Sequence, residues 1–231
     1  MEVSRIGLLT RKPSLTTQEF RDHWKSVHGD MVKRLPGLKR YYQHHVVDDS
    51  QLGIDHARGG WRIDGFSEIV FDSREAMDEA FASAAFAPTA GDIGNYADSI
   101  QLVVCRKNKV VPFDEDTDKP FVKRMSILTR RKDIDESRFV EEWTGKHARD
   151  VPDLPYIMGY TQNIVVDRYR NMTERATRRE VPVDGIVELW FPSAEAIVEA
   201  FSSPQAEITQ GHAKTFLDTI TTFLVQSHRL L

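Results

Sequence analysis

The chain is a sentence written twice. Residues 5–48 align without a gap on residues 124–167, an offset of 119, and fifteen of those forty-four positions are identical. A second block, DGFSEIVFDSREAMDEAFAS, matches DGIVELWFPSAEAIVEAFSS at an offset of 120. A tandem duplication of this kind restricts the fold to one small module made twice, with two copies that have to meet. It also separates residues by what diverged copies kept. Apolar agreement, as in Phe20/Phe139 and Val32/Val151, reports packing. Retention of His28/His147, Tyr41/Tyr160 and Gln43/Gln162 asks for another reason.

Each copy reads as the same run of elements. RIGLLTR and RMSILTR are short apolar segments without a helical stripe, hence strands. Thr16 with Glu19 makes a capping box, and Phe20, Trp24, His28 and Met31 repeat at helical spacing; Asp135 caps the second copy, which runs Phe139, Trp143, His147, Val151. Pro36 and Pro155 stop these helices, because proline has no N–H for the ladder. Strands LKRYYQHHVV and IMGYTQNIVV follow, then FSEIVF and IVELWF, then a helix capped by Ser73 or Ser193, and a last strand, SIQLVVC or TITTFLV. The order βαββαβ is ferredoxin-like, with both helices on one sheet face. The other face needs cover, and the second copy supplies it. The expected fold is α+β: two ferredoxin-like βαββαβ repeats whose antiparallel sheets pack face to face as an α+β barrel, helices outside, with a central cavity between the sheets.

The expected domains are 1–107 and 123–231, joined by a linker at 108–122 whose acidic cluster Asp114, Glu115, Asp116 and Asp118 reads as solvated and extended. A net charge of -4 and a pI near 6.1 give no basic footprint for nucleic acid. No run reaches the length of a membrane span, and the N-terminus lacks a signal-peptide pattern. Cys105 is the single cysteine, so no intrachain disulfide forms. The expectation is a cytoplasmic protein without a membrane or nucleic-acid partner.

Several motifs together resemble the EthD family of dimeric α+β barrel proteins, related to methylmuconolactone methyl-isomerase. They are RKP before the helix FRDHWKSVH, the PGLKRYYQHHV strand and DGFSEIVFDS, with FVEEWTGKH, LPYIMGYTQNIV and DGIVELWFPS keeping the frame in copy two. The resemblance implies that a His at the end of the first helix and a Tyr early on the second strand line the substrate cavity; these are His28 and Tyr41, with His147 and Tyr160. An imidazole takes or gives a proton near neutral pH, and a phenol can donate to an oxygen gaining charge. The pairing suits proton abstraction next to a carbonyl, or elimination, without a cofactor. His28 at a helix end and Tyr41 as a cross-strand packing residue remain open as structural readings.

Alternation places Tyr41, Gln43 and His45 on one strand face and Tyr42 and His44 on the other; the face with the retained Tyr and Gln is expected to look into the central cavity. Gln43 and Gln162 are therefore candidate substrate contacts. Trp24 and Trp143 read first as helix-to-sheet packing and second as cavity walls. No metal set is expected, because His44 and His45 diverge and no ligand spacing is completed. Arg11/Arg130 end the first strands, and the loop DRYRNMTERATRREVPV carries an arginine run that could draw in a carboxylate or be solvated.

The functional expectation is a cofactor-independent isomerase or lyase of dehydratase type, acting on a small oxygenated organic molecule. The alternative is a non-catalytic small-molecule or haem-binding accessory protein. The expected partner is a small-molecule substrate, and a homodimer is the one assembly the sheet edges suggest.

Overall fold

The computed structural model describes residues 2–231. Eight strands, β1 (Val3–Arg11), β2 (Leu38–Asp48), β3 (Gly65–Phe71), β4 (Ala97–Val111), β5 (Val122–Arg130), β6 (Gly159–Tyr169), β7 (Gly185–Phe191) and β8 (Leu217–Arg229), close into one barrel in the order β1-β3-β2-β8-β5-β7-β6-β4. Every neighbouring pair is antiparallel. Each repeat supplies a contiguous ferredoxin-like sheet, and the repeats join where β2 pairs β8 and β4 pairs β6. The two inner faces oppose each other across the barrel, as the duplication implied. The closure goes further than face-to-face packing, because all sheet edges are hydrogen-bonded within one chain. A second copy would have only helices and loops to dock on.

The linker departs from expectation. Pairing with β6 carries β4 past residue 107, with Lys107 opposite Asn163 and Asn108 opposite Gln162. Residues 112–121 then fold over one barrel mouth. Phe113 packs on Phe121 and Trp190, with ring centroids 5.1 Å and 5.6 Å away. Glu115 accepts hydrogen bonds from Trp190 Nε1 at 3.0 Å and Lys123 Nζ at 2.9 Å. Glu115 is thus held in place, while Asp114, Asp116 and Asp118 are exposed.

The inner face is apolar through the middle, where Ile6, Phe66, Val103, Met125 and Phe223 from both repeats form one shared core. Toward the linker mouth the lining becomes charged. Glu68 and Glu188, retained in both copies, sit 2.5 Å and 3.3 Å from Lys107 Nζ, and Lys123 Nζ lies 2.7 Å from Glu188. Burial alone would push both carboxyl groups up; Lys107 overrides it and leaves both lowered.

Outside the barrel, α1 (Thr17–Asp22) starts at the Thr16/Glu19 capping box and α5 (Glu136–Glu142) at Asp135. Each then widens into a π-helical turn, His23–His28 and Trp143–His147, before α2 (Gly29–Val32) and α6 (Ala148–Asp150). Ser73 and Ser193 cap α3 (Arg74–Ala82) and α7 (Ala194–Phe201). Two further helices were not expected from the sequence: α4 (Phe86–Tyr96) and α8 (Pro204–Phe216), each leading into the last strand of its repeat. Among the described residues no helix is long and apolar enough to cross a membrane.

Candidate active site

Strand alternation holds, but the direction is opposite to the expected one. Tyr41, Gln43 and His45 face the helices, whereas His44 points into the barrel, where its Nε2 lies 3.4 Å from Glu68. The retained Tyr and Gln therefore do not look into the space between the sheets. The physical reason is visible in the bonds they make. Gln43 Nε2 donates to the Trp24 carbonyl at 2.7 Å and to Tyr41 Oη at 2.6 Å; Gln162 does the same to the Trp143 carbonyl and Tyr160 Oη at 2.7 Å and 2.6 Å. In the first repeat the same Trp24 carbonyl accepts from the Gly29 N–H, five residues on, which is the π-helical spacing. Gln43 and Gln162 thus pin a helix turn to the sheet, and neither lines a cavity.

The tryptophans explain the retained Asp-Gly pair. A Cβ at Gly65 would lie 2.4 Å from Trp24 Cζ3, and one at Gly185 2.3 Å from Trp143 Cζ3, so only glycine lets the strand pass beneath the indole. Asp64 and Asp184 accept from the backbone N–H of Arg11 and Arg130 at 2.8 Å and 2.9 Å. Arg11 and Arg130 pair with those aspartates and are not free for a substrate.

The space under the helices is where the candidate residues meet. In the second repeat a cavity of about 50 Å³ is lined by Arg124, Trp143, His147, Tyr160, Phe201 and Ile54. Its counterpart in the first repeat is about 30 Å³ and is lined by Arg5, His28, Tyr96, Phe81 and Met172. His147 and Tyr160 share the second cavity. His28 reaches the first, but Tyr41 and Trp24 do not line it. Each cavity is closed by the loop of the other repeat: Ile54, from the loop after β2, seals the second, and Met172, from the loop after β6, fills the first.

Electrostatics differ between the two. His28 Nδ1 lies 3.1 Å from Asp92 Oδ2, and His23 Nε2 lies 3.0 Å from Asp92 Oδ1. In the second repeat the acid and the imidazole have changed places: Glu142 stands where His23 does, His212 where Asp92 does, and they sit 3.0 Å apart. His147 is left beside another imidazole, with ring centroids 5.6 Å apart, and its Nδ1 has no partner. Burial lowers His28 to about 4 against partial support from Asp92, and lowers His147 to about 3, with His212 adding to the effect. Both rings are neutral at pH 7. Burial raises the Tyr160 phenol, which stays protonated; because its oxygen accepts from Gln162, its own proton is available to donate.

Arg124 and Arg5 are also equivalent positions, and they are treated differently. Arg5 Nη2 donates to the Met172 carbonyl at 2.5 Å, with its guanidinium 4.1 Å from the Phe81 ring centroid. Arg124 stacks 4.0 Å from the Phe201 centroid, but its Nε and Nη1 have no hydrogen-bond partner, and burial with no opposing carboxylate lowers it to about 9. Four of the five arginines of the second loop make ion pairs: Arg168 and Arg178 with Asp184, Arg170 with Glu174, Arg175 with Asp167. Of the residues that shape the cavities, sequence reading passed over Arg5, Tyr96, Asp92, Arg124 and His212. The signal was present for one pair, since Arg5 and Arg124 are among the fifteen identities.

The barrel interior offers no comparable site. The opening at its linker mouth, about 400 Å³, is lined by paired charges including Glu68, Lys107, Lys123 and Glu188. Among the described residues no group of three or more His, Cys, Asp or Glu is placed to hold a metal.

Fold and cavities together define an α+β barrel protein made of two ferredoxin-like repeats, with polar sites under the helices. The EthD domain model matches residues 12–100 and 131–220, so the chain belongs to the EthD family. No curated protein matches it in sequence. In structure it is similar to an anthrone oxidase-like protein, at 12% identity over 99% of this chain and 93% of that one, with a TM-score of 0.67. It is also similar to a monooxygenase candidate from Fusobacterium nucleatum subsp. nucleatum ATCC 25586, at 7% identity, 98% and 92% coverage and a TM-score of 0.61. A third, a monooxygenase candidate from Lactobacillus acidophilus NCFM, shows 13% identity, 100% and 94% coverage and a TM-score of 0.56. At these identities the likeness concerns the fold.

Proposed function

We propose that the protein is a cofactor-independent enzyme of isomerase or lyase type, acting on a small oxygenated organic molecule in the cavity of the second repeat. The observation that carries this reading is the convergence, on one cavity, of a neutral imidazole with a free nitrogen, a protonated phenol and an uncompensated guanidinium. His147 accepts the proton from carbon or from a hydroxyl. Tyr160 donates to the oxygen that gains negative charge, and Trp143 forms the wall against the apolar part. A base lowered to about 3 by burial is weak in the empty cavity. An anionic intermediate alongside it favours the imidazolium and moves the ring back toward its working range. In this reading His28 and Tyr41 are structural counterparts, because Tyr41 is walled off from the first cavity.

A haem does not suit a cavity of about 50 Å³, which has room for a few water molecules or a small fragment before the Ile54 loop moves. Binding of a smaller metabolite without turnover is the rival reading. The neighbours' names point to oxidation, and abstraction of a proton to give an enolate is a first step that oxidation and isomerisation share.

The test is proton exchange. Small enolisable oxo acids, unsaturated carboxylates and lactones are incubated with the protein in D2O, and deuterium incorporation is followed by NMR while dissolved oxygen is monitored. Exchange into at least one of them is expected, slowed at least about 100-fold in His147→Gln and within a few-fold of wild type in His28→Gln. Exchange that survives His147→Gln contradicts the mechanism, and binding without exchange favours the rival.

A further inference from the structure

We infer that Arg124 is the anchor for an anionic oxygen, so that the cavity of the second repeat takes a carboxylate carried on a small apolar body. The inference rests on the reading of that cavity as the substrate site and adds the class of substrate.

Three observations support it. First, Arg124 is buried in the layer between β5 and the helices, yet two of its guanidinium nitrogens, Nε and Nη1, have no partner. A buried charge is ordinarily paired, and a planar fork of N–H donors matches a carboxylate in two-point geometry. Second, no carboxylate lines the cavity, and apart from His147 and Tyr160 its other polar groups are already engaged. Ser126 bonds Thr222 at 3.1 Å, Thr209 donates to the Ala206 carbonyl at 3.1 Å, and Gln210 Oε1 accepts from the Asp55 N–H at 2.5 Å. The site therefore carries an unbalanced positive charge that only something arriving from outside can neutralise.

Third, the first repeat acts as an internal control. Arg5 occupies the equivalent position over the equivalent ring, Phe81, and there the loop of the other repeat brings the Met172 carbonyl to its Nη2. The loop that closes the second cavity brings Ile54, an apolar side chain, instead. Arg5 has one acceptor supplied by the fold, with its Nε left unpartnered, whereas Arg124 has none and faces a space of about 50 Å³. The rest of that lining is apolar, with Leu128, Leu154, Val187 and Leu189 among it, which fits a hydrocarbon body and rejects a second charge.

Crotonate is a suitable probe, being small, planar and anionic, with crotonamide as its uncharged counterpart. Amide shifts of the intact protein are followed by NMR during titration with each. Wild type is expected to bind crotonate at least tenfold more tightly than crotonamide, with shifts in β5 and α8 and one site per chain. Arg124→Met should abolish the preference, Arg124→Lys should keep part of it, and Arg5→Met should leave it unchanged. Equal binding of the two probes, no binding of crotonate, or a preference that survives Arg124→Met would each overturn the inference. Thermal melting guards against a purely structural role: Arg124→Met should melt no lower than wild type, because an unpaired cation is replaced by an apolar chain, and a clear loss would contradict the assignment. The crotonate preference and deuterium exchange are read separately on wild type, so the preference without exchange marks failure of the mechanism, and exchange without the preference marks failure of the anchor.

Discussion

The two repeats use the same scaffold and end with different cavities. Both keep the π-helical turn, the tryptophan over a glycine, and the Gln that ties the helix carbonyl to a tyrosine hydroxyl. Those shared parts are architecture. The differences lie in what was free to drift: an acid and a histidine exchanged between Asp92/His23 and His212/Glu142, Tyr96 set against Phe216, and a lid residue that satisfies Arg5 but not Arg124. In the first repeat the changes give His23, His28 and Arg5 Nη2 partners, although Arg5 Nε and Tyr96 Oη have none. In the second they leave His147 Nδ1 and two Arg124 nitrogens without partners. The lesson is that the retained residues, Arg124, His147 and Tyr160 among them, are common to both copies, and what distinguishes the cavities is read from the neighbours that diverged around them.

The comparison can be broken most forcefully at what the repeats share. Lys107 lies between Glu68 of one sheet and Glu188 of the other. Lys107→Met removes the cation shared by two buried carboxylates, leaving Glu68 only His44 and Ser4 and Glu188 only Lys123 and Asn163, and should cost about 3–5 kcal/mol in urea unfolding. Because the barrel is one closed sheet, the loss should appear in a single transition. Two separate transitions would mean that the repeats are independent after all.

Next in size are Gly65→Ala and Gly185→Ala. Each puts a methyl group into an indole ring and should cost about 1–3 kcal/mol, to a similar extent in both repeats. A large asymmetry between them would contradict the view that the frame is equivalent.

Acid should sharpen the comparison from another side. His28, buried against Asp92, His23 and Tyr96, has its folded value lowered from 6.5 to about 4. Between those values the unfolded chain binds the proton and the folded one does not, so stability falls as the pH drops through that window and is complete above it. His28→Asn should flatten the fall between pH 6.5 and 4 by on the order of 3 kcal/mol. His147→Asn should act in the same direction, over a window reaching lower, to about 3.

Met172→Ala gives the smallest effect, about 1 kcal/mol or less, since the side chain is partly exposed. It enlarges the first cavity while leaving the carbonyl on Arg5. Crotonate stoichiometry should therefore stay at one per chain; a second site appearing would mean that bulk, not the acceptor, separates the repeats.

The barrel was legible because the duplication fixes two modules and the short apolar runs of β1 and β3 carry no helical stripe. The face of β2 was not. Tyr41 and Gln43 are polar-tipped residues that look suited to a wet cavity, and only the geometry shows Gln43 bonding to a helix carbonyl. Both strand faces of this barrel are buried, so alternation separates the faces without saying which is inner. Helices α4 and α8 were hidden because Gly91 and Gly94 in one and Gly211 in the other weaken a helical reading, and Pro204 looks like a break although it sits in the first turn of α8. With those helices went Asp92, Tyr96 and His212. Arg124 was in plain view as a retained arginine, but its significance depends on an absent partner, which no sequence pattern records.

The most direct test of the central claim is the crystal structure of the protein soaked with crotonate. The account predicts its carboxylate on the Arg124 guanidinium, under the helices of the second repeat, with Tyr160 and His147 beside it. A carboxylate on Arg5, or among Lys107, Lys123 and Arg229 at the barrel mouth, would contradict it.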